Sequence, residues 1–260
     1  SLVALKFLSD EGWGSVADAI DAVAYCAAMD LPISNNSWGG GGYSQAMKDA
    51  IASAANQGHL FCAAAGNSAA NNDKSPHYPS NYDVPSVLSV AASNSSDKLA
   101  WFSCFGHKTV DLAAPGEGIL SLVPNGGTAS YSGTSMATPH VAGAAALLLS
   151  INPDFGHQEL KNSLMKTVDP IPSFDGKMVA PGRLNLANAV GVASPGWLTV
   201  SPGSGSVPEG EKKDLLFTAD ATDFTAGTKT AVVVFKTNDP LASVIEVPVE
   251  LTVTGSPVTE

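Results

Sequence analysis

Short apolar runs alternate with amphipathic stretches along the first three quarters of the chain. Residues 2–8, LVALKFL, read as a buried strand, and Ser15 with Asp18 forms a capping box that opens a helix over Val16 to Met29, with Ile20, Val23 and Ala27 inward. A strand follows at LPISNN (31–36). Ser44 caps a second helix that Gly58 stops. HLFCAAA (59–65) and SVLSVAA (86–92) are continuous apolar runs of the kind buried on both faces of a parallel sheet. This βαβαβ order predicts an α/β fold, a parallel sheet with helices on both faces, and ligands in such sheets sit beyond the carboxyl ends of the strands. Three Gly- or Asn-bearing clusters follow strands: SWGGGG (37–42), AAAGNS (63–68) and GGTASYSGTS (126–135). The site is expected where they meet.

After about residue 193 the pattern changes to a Gly-, Ser- and Pro-rich stretch with no helical period beyond it. From Ser243, Ile245, Val247, Val249, Leu251 and Val253 alternate with Glu246, Pro248, Glu250 and Thr252, a two-residue period. KDLLFTA (213–219) and TAVVVFKT (230–237) supply further strands, with an NDP turn at 238–240. The prediction is two domains, 1–193 and 194–260, the second a small all-β sandwich of immunoglobulin-like type with Pro248 on an edge strand.

Composition narrows the function. The 260 residues are 44% hydrophobic and 14% charged, with 13 Lys and Arg against 24 Asp and Glu for a net charge of −11. That balance repels phosphate backbones and anionic membrane surfaces, so nucleic acid is not an expected partner. The longest apolar run, Val141 to Leu149, falls short of a membrane span. Cys26, Cys62 and Cys104 are odd in number and widely spaced, which predicts buried free thiols rather than a disulfide framework or a zinc site. The chain opens at Ser1 directly on an apolar segment, as though its beginning lay elsewhere.

The chemistry centres on SYSGTSMATPHVAGAAALLL (130–149). Pro139 suits a first helical turn and the following residues are apolar on every side, so a buried helix begins beside Ser135. Unpaired N–H groups and the positive end of the helix dipole favour an oxyanion there, although by position alone a plain capping serine is the commoner case. The stretch GTSMATPHVAG (133–143) resembles the serine signature of the subtilase family. NNSWGG (35–40), AAAGN (63–67), HYPSNY (77–82) and DLAAPG (111–116) resemble that family's other landmarks in the same order. The resemblance covers roughly residues 1–190 and implies a serine endopeptidase acting on polypeptides through an acyl-enzyme.

On that resemblance Ser135 is the nucleophile and Asn67 the side-chain donor to the oxyanion. Ser37, Trp38 and Gly39, with Ala64, Ala65 and Gly66, line the substrate channel, and Tyr78–Pro79 is a cis bond. His140 is a packing residue of the serine helix. Secretion is expected, and calcium is bound by some members, although no residues here mark a calcium site or any other cofactor. Trp38 suits the core equally well, and His77 is expected to be exposed rather than to reach the pocket floor.

A serine needs a histidine base oriented by a carboxylate, and neither partner motif is present. Subtilases carry both on segments that would precede Ser1, so the isolated chain is expected not to react with fluorophosphonates. His59, His77, His107, His140 and His157 all have ordinary structural readings. Glu159, Asp169 and Asp175 read as solvated charges with no metal-ligand spacing. An α/β-hydrolase elbow fails because Ala137 replaces its second glycine, and a phosphate loop fails for want of a lysine. The competing reading is a non-catalytic peptide-binding or adhesion protein, with the C-terminal module as the attachment to a surface.

Overall fold

Two serines start the helices that the pattern predicted. Ser15 opens α1 (Val16–Ala28), its hydroxyl accepting from the Asp18 N–H at 3.1 Å and donating to the Asp18 carboxylate at 2.7 Å. Ala19, Val23 and Cys26 form the buried stripe of α1, and the expected Ile20 and Ala27 are half-buried beside it. Ser44 opens α2 (Gln45–Ala55) by accepting from the Met47 N–H, and Gly58, at φ +85°, turns the chain away after it. The computed structural model describes residues 1–124, 126–193, 197–208, 211–222, 224, 226–239 and 244–254.

Four parallel strands follow in spatial sequence: β1 (Ile33–Asn36), β2 (Leu60–Ala64), β3 (Val87–Ser93) and β4 (Leu112–Pro115). Ile33 pairs with Leu60, Phe61 with Val87 and Val90 with Leu112. Every residue of β2 and β3 is buried, which is why their sequences are continuous apolar runs rather than alternating ones. A hairpin of β5 (Ile119–Val123) and β6 (Gly127–Tyr131) leads into α3 (Thr134–Ile151) and then α4 (His157–Lys166). Two short strands, β7 (Asp169–Pro170) and β8 (Gly182–Arg183), extend the sheet in the order β1-β2-β3-β4-β8-β7, with β7 antiparallel.

Helices α1 and α2 pack on the face bearing Phe61, Ala63 and Val87. Helix α3 crosses β1 to β4 and carries α4 beside it, and no residue of either enters that cluster. Lys161 of α4 fastens helix to sheet: its ammonium bonds the Val87 carbonyl and lies 3.0 Å from Asp111, whose carboxylate also accepts the Ser89 N–H at 2.7 Å.

Four expectations need correction. Residues 2–8 form no strand. Leu2 and Val3 are exposed, β1 is laddered only to β2, and a strand needs a neighbour to take its N–H and C=O groups. Leu5, Phe7 and Leu8 are half-buried, and Phe7 packs edge-on to Trp38 at 5.1 Å. Secondly, Pro139 lies inside α3 rather than in its first turn, because the helix starts at Thr134. Thirdly, α3 is long and apolar enough to span a membrane by length and composition, the signature residues ahead of Val141 extending the apolar run. It is laid across the sheet through Val141, Ala144, Ala145 and Leu148. Fourthly, Glu159 and Asp169 are engaged. Glu159 accepts the Gly156 N–H at the start of α4, while Asp169 takes bonds from Asn185 at 2.7 Å and then Arg183 at 2.6 Å that hold its carboxyl below the usual range.

The chain divides into two compact units, Ser1–Ala189 and Val190–Glu260, the boundary falling within α5 (Leu186–Ala193). The second holds two antiparallel pairs: β9 (Leu198–Ser201) with β10 (Leu216–Ala219), and β11 (Gly227–Lys236) with β12 (Val244–Val253). Val247, Val249 and Leu251 of β12 are half-buried while Glu246, Pro248 and Glu250 are exposed, so the two-residue period marks one covered face. Phe217 of β10 meets Phe235 of β11 edge-on at 6.5 Å. The linker at 194–196, Pro240 of the NDP turn and Ser243 lie outside the described residues.

Candidate active site

The carboxyl ends of β1 and β2 meet the N-terminus of α3. Ser37 continues β1 past its last pair with β2, Asn36 with Ala63, while Gly66 and Asn67 follow β2 and Ser135 is the second residue of α3. Thr134 ties these together. Its N–H and hydroxyl both donate to Asn67 Oδ1, at 2.8 and 3.0 Å, and its Oγ1 accepts the Gly66 N–H at 3.1 Å. Two donors on Oδ1 fix which end of the amide is oxygen, so the Asn67 NH2 group projects the other way. Nδ2 and the Ser135 N both lie near one point, 3.5 and 3.6 Å from where a Cβ on Gly133 would sit. Neither has a hydrogen-bond partner among the described residues. Two neighbouring donors at the positive end of a helix with no acidic residue in its first turn make a corner suited to an anion.

The nucleophile candidate is clasped to the β1 extension from both sides. Ser135 Oγ donates to the Ser37 carbonyl at 3.3 Å, and Ser37 Oγ donates to the Ser135 carbonyl at 2.8 Å. The second bond has a cause in sequence. The Ser135 carbonyl would ordinarily accept from the N–H four residues on, but that residue is Pro139, which has none. Ser37 fills the gap that the proline leaves.

Of the expected channel residues, Ser37, Gly39 and Gly66 gather here with Asn67 and Ser135. Ala64 and Ala65 are buried, and the Ala65 carbonyl is occupied by Asn72 Nδ2 at 2.8 Å. The Trp38 side chain belongs to the core, edge-on to Phe7 and Phe61, with its indole N–H on Asn36 Oδ1 at 3.3 Å. Only its backbone borders the site.

His77 departs from expectation. It is half-buried, with its ring against the backbones of Gly39 and Gly66. A Cβ on Gly66 would lie 2.9 Å from the ring and 3.1 Å from Cys104 Sγ, and Gly66 has φ +108°, so glycine is required on two counts. Tyr78–Pro79, next in the chain, is cis.

No histidine among the described residues is hydrogen-bonded to Ser135, whose hydroxyl is held by the Ser37 carbonyl. The ring of His59 is buried, with Nδ1 2.5 Å from the Leu31 carbonyl and Nε2 2.8 Å from Ser34 Oγ. His140 is exposed, its Nδ1 donating to the Met136 carbonyl at 2.9 Å, so the packing role implied for it is not seen. All three cysteines are free and buried, and burial pushes the Cys62 thiol up to about 12. The calcium that the resemblance allows finds no group of three His, Cys, Asp or Glu side chains among the described residues.

Sequence reasoning missed Thr134, which orients Asn67, and the partnership of Ser37 with Pro139. A polar residue directly before the candidate serine and a proline four residues after it were the available signals.

Comparison with known proteins bears on the family. The subtilase family's sequence profile matches residues 1–197. Subtilisin amylosacchariticus of Bacillus subtilis subsp. amylosacchariticus is 39% identical over 168 residues, which are 64% of this chain and 43% of that protein. Subtilisin-like protease 2 of Plasmodium falciparum is 33% identical over 198 residues, 73% of this chain and 15% of its own length. The chain thus spans less than half of these relatives. Among solved structures, a protease from Pseudoalteromonas arctica superposes with a TM-score of 0.62 at 29% identity, covering 70% of this chain and 60% of that one. The prenylagaramide maturation protease gives 0.62 at 31% identity, covering 70% of each. With its profile, its relatives and its mostly parallel α/β sheet in agreement, the chain belongs to the subtilase family.

Proposed function

We propose that this chain is the C-terminal portion of a secreted subtilisin-like serine endopeptidase, with Ser135 as nucleophile and Asn67 as oxyanion donor. The observation that carries the reading is the pair of donors, Asn67 Nδ2 and the Ser135 N–H, that lie near one point by Gly133 and have no hydrogen-bond partner among the described residues. Ser135 Oγ attacks the scissile carbonyl carbon as a histidine takes its proton. The carbonyl oxygen becomes an anion held by the two N–H donors, the amine leaves with the proton, and water hydrolyses the ester. The extension of β1 and the segment 64–66 hold the peptide in extended form by backbone pairing.

The base and its carboxylate enter, in this proposal, on a segment preceding Ser1. Helix α3 supports it: the helix is predominantly apolar, yet only 39% of it is buried, leaving Gly143, Ala146 and Leu147 bare. A helix of that composition is normally covered on all sides. The β-strand pairs of the second unit are proposed to form a small sandwich that contacts a surface or polymer.

One observation favours the non-catalytic reading, because the Ser135 hydroxyl is spent on the Ser37 carbonyl. Fluorophosphonate labelling of the full-length protein, with Ser135→Ala as control, decides between them. Labelling confined to Ser135 together with peptide hydrolysis upholds the protease. Peptide binding without labelling upholds the binder.

A further inference from the structure

His77 is placed where a substrate side chain would meet it. A Cβ on Gly39 would lie 2.8 Å from His77 Nε2 and also against Cε1, and one on Gly66 would lie 2.9 Å from Cδ2. The imidazole therefore occupies the space that side chains on both channel segments would fill, and it forms the wall between them. Its orientation is set from behind. Ser80 Oγ donates to the His77 carbonyl at 2.8 Å, so its lone pairs face His77 Nδ1 at 3.3 Å, and Nδ1 carries the hydrogen. Nε2 has no hydrogen-bond partner among the described residues, and it is the atom that gains or loses a proton as pH changes.

We propose that the protonated His77 Nε2–H selects a carboxylate side chain, Glu or Asp, on the substrate residue contributing the scissile carbonyl, so that the enzyme's preference is set by pH. This rests on the protease reading above. Among the described residues, no element packed on the ring brings it a counter-charge. The β1 extension brings Gly39, the segment after β2 brings Gly66 with the Cys104 thiol behind it, and the turn brings Tyr78 and Ser80. Burial alone moves the ring's titration below its ordinary value, with no carboxylate contributing. A charged ring in that position is costly until a substrate supplies the anion. The same coupling acts in reverse, so a bound carboxylate raises the pH at which His77 gives up its proton. Glutamate is ionised above about pH 4.3 and free histidine is charged below about 6.5, which sets the window.

The test uses the full-length protease and two peptides differing only by Glu or Gln at that position, an isosteric pair whose rate ratio cancels the titration of the catalytic base. The kcat/KM ratio of Glu over Gln should rise about tenfold from pH 8 to pH 5, the size expected of one hydrogen bond to a charged group. His77→Gln should flatten it. A flat ratio in the wild type, or an unchanged slope in His77→Gln, overturns the proposal.

A second measurement does not depend on turnover. With the Ser135→Ala chain, the NMR titration of the His77 ring should move to higher pH on adding a peptide amide ending in Glu, and stay in place with Gln. That shift without hydrolysis of either peptide keeps the pocket and removes the protease. Hydrolysis of both peptides with a flat ratio removes the pocket and keeps the protease. No hydrolysis, with no titration shift, overturns both.

Discussion

Asn67 is the side chain on which most of the proposed chemistry turns, and Thr134 is what aims it. Asn67→Ala in the intact protease should lower kcat by about 10²- to 10³-fold with little change in KM, a size taken from subtilisin rather than derived from this chain. Steady-state kinetics on one peptide checks it. Ser37 and Pro139 make a linked prediction. Ser37→Ala leaves the Ser135 carbonyl without a donor and should cost about 1 kcal/mol in urea unfolding. In a Pro139→Ala background the restored N–H makes that loss smaller, and the double-mutant cycle reads the difference. His59 predicts a pH dependence. Its Nδ1–H points at the Leu31 carbonyl and its Nε2 accepts the Ser34 hydroxyl, so a second proton displaces that bond. Burial, opposed by the Leu31 bond and reinforced by His157, puts its folded titration below the unfolded one. The unfolded chain then binds protons first: stability is full above about pH 6.5 and falls as pH drops through the interval below it. The urea midpoint should decline from pH 7.5 to 5.5, and less so in His59→Gln. That Ser135 and Asn67 meet was legible from motif alone. Thr134 was not, since a threonine beside a signature serine carries no mark of the amide it holds.

Elements were legible where one local signal decided them. Ser15, Ser44 and Gly58 announced α1 and α2, and the apolar runs announced β2 and β3, because caps and full burial are written in adjacent residues. LVALKFL misled, since an apolar run states that a segment wants burial but not whether a neighbouring strand is there to supply it. The tie between α4 and the sheet was invisible for the same reason: Lys161 and Asp111 are far apart in sequence and meet only through the fold. Their side chains are 20% and 11% exposed, so Lys161→Met strands a largely buried carboxylate and should cost about 3 kcal/mol. Lys161→Met with Asp111→Asn should cost less than the sum of the two single changes, measured by thermal or urea unfolding.

At the scale of the whole molecule, the sequence showed two regions by composition, and the structure divides within α5. The isolated 260-residue chain should fail to label with a fluorophosphonate under conditions where the intact protease labels fully, because no histidine of this chain is bonded to Ser135. Strong labelling of the isolated chain would mean that a base had been overlooked. The clasp between Ser37 and Ser135 then acquires a role in assembly. While the hydroxyl of Ser135 rests on the Ser37 carbonyl, that carbonyl is denied to an incoming peptide. On the proposed protease reading, a histidine base reaching Ser135 would draw the hydroxyl away and vacate the carbonyl in one movement, so that arming the nucleophile and opening the berth for a substrate backbone would be a single event.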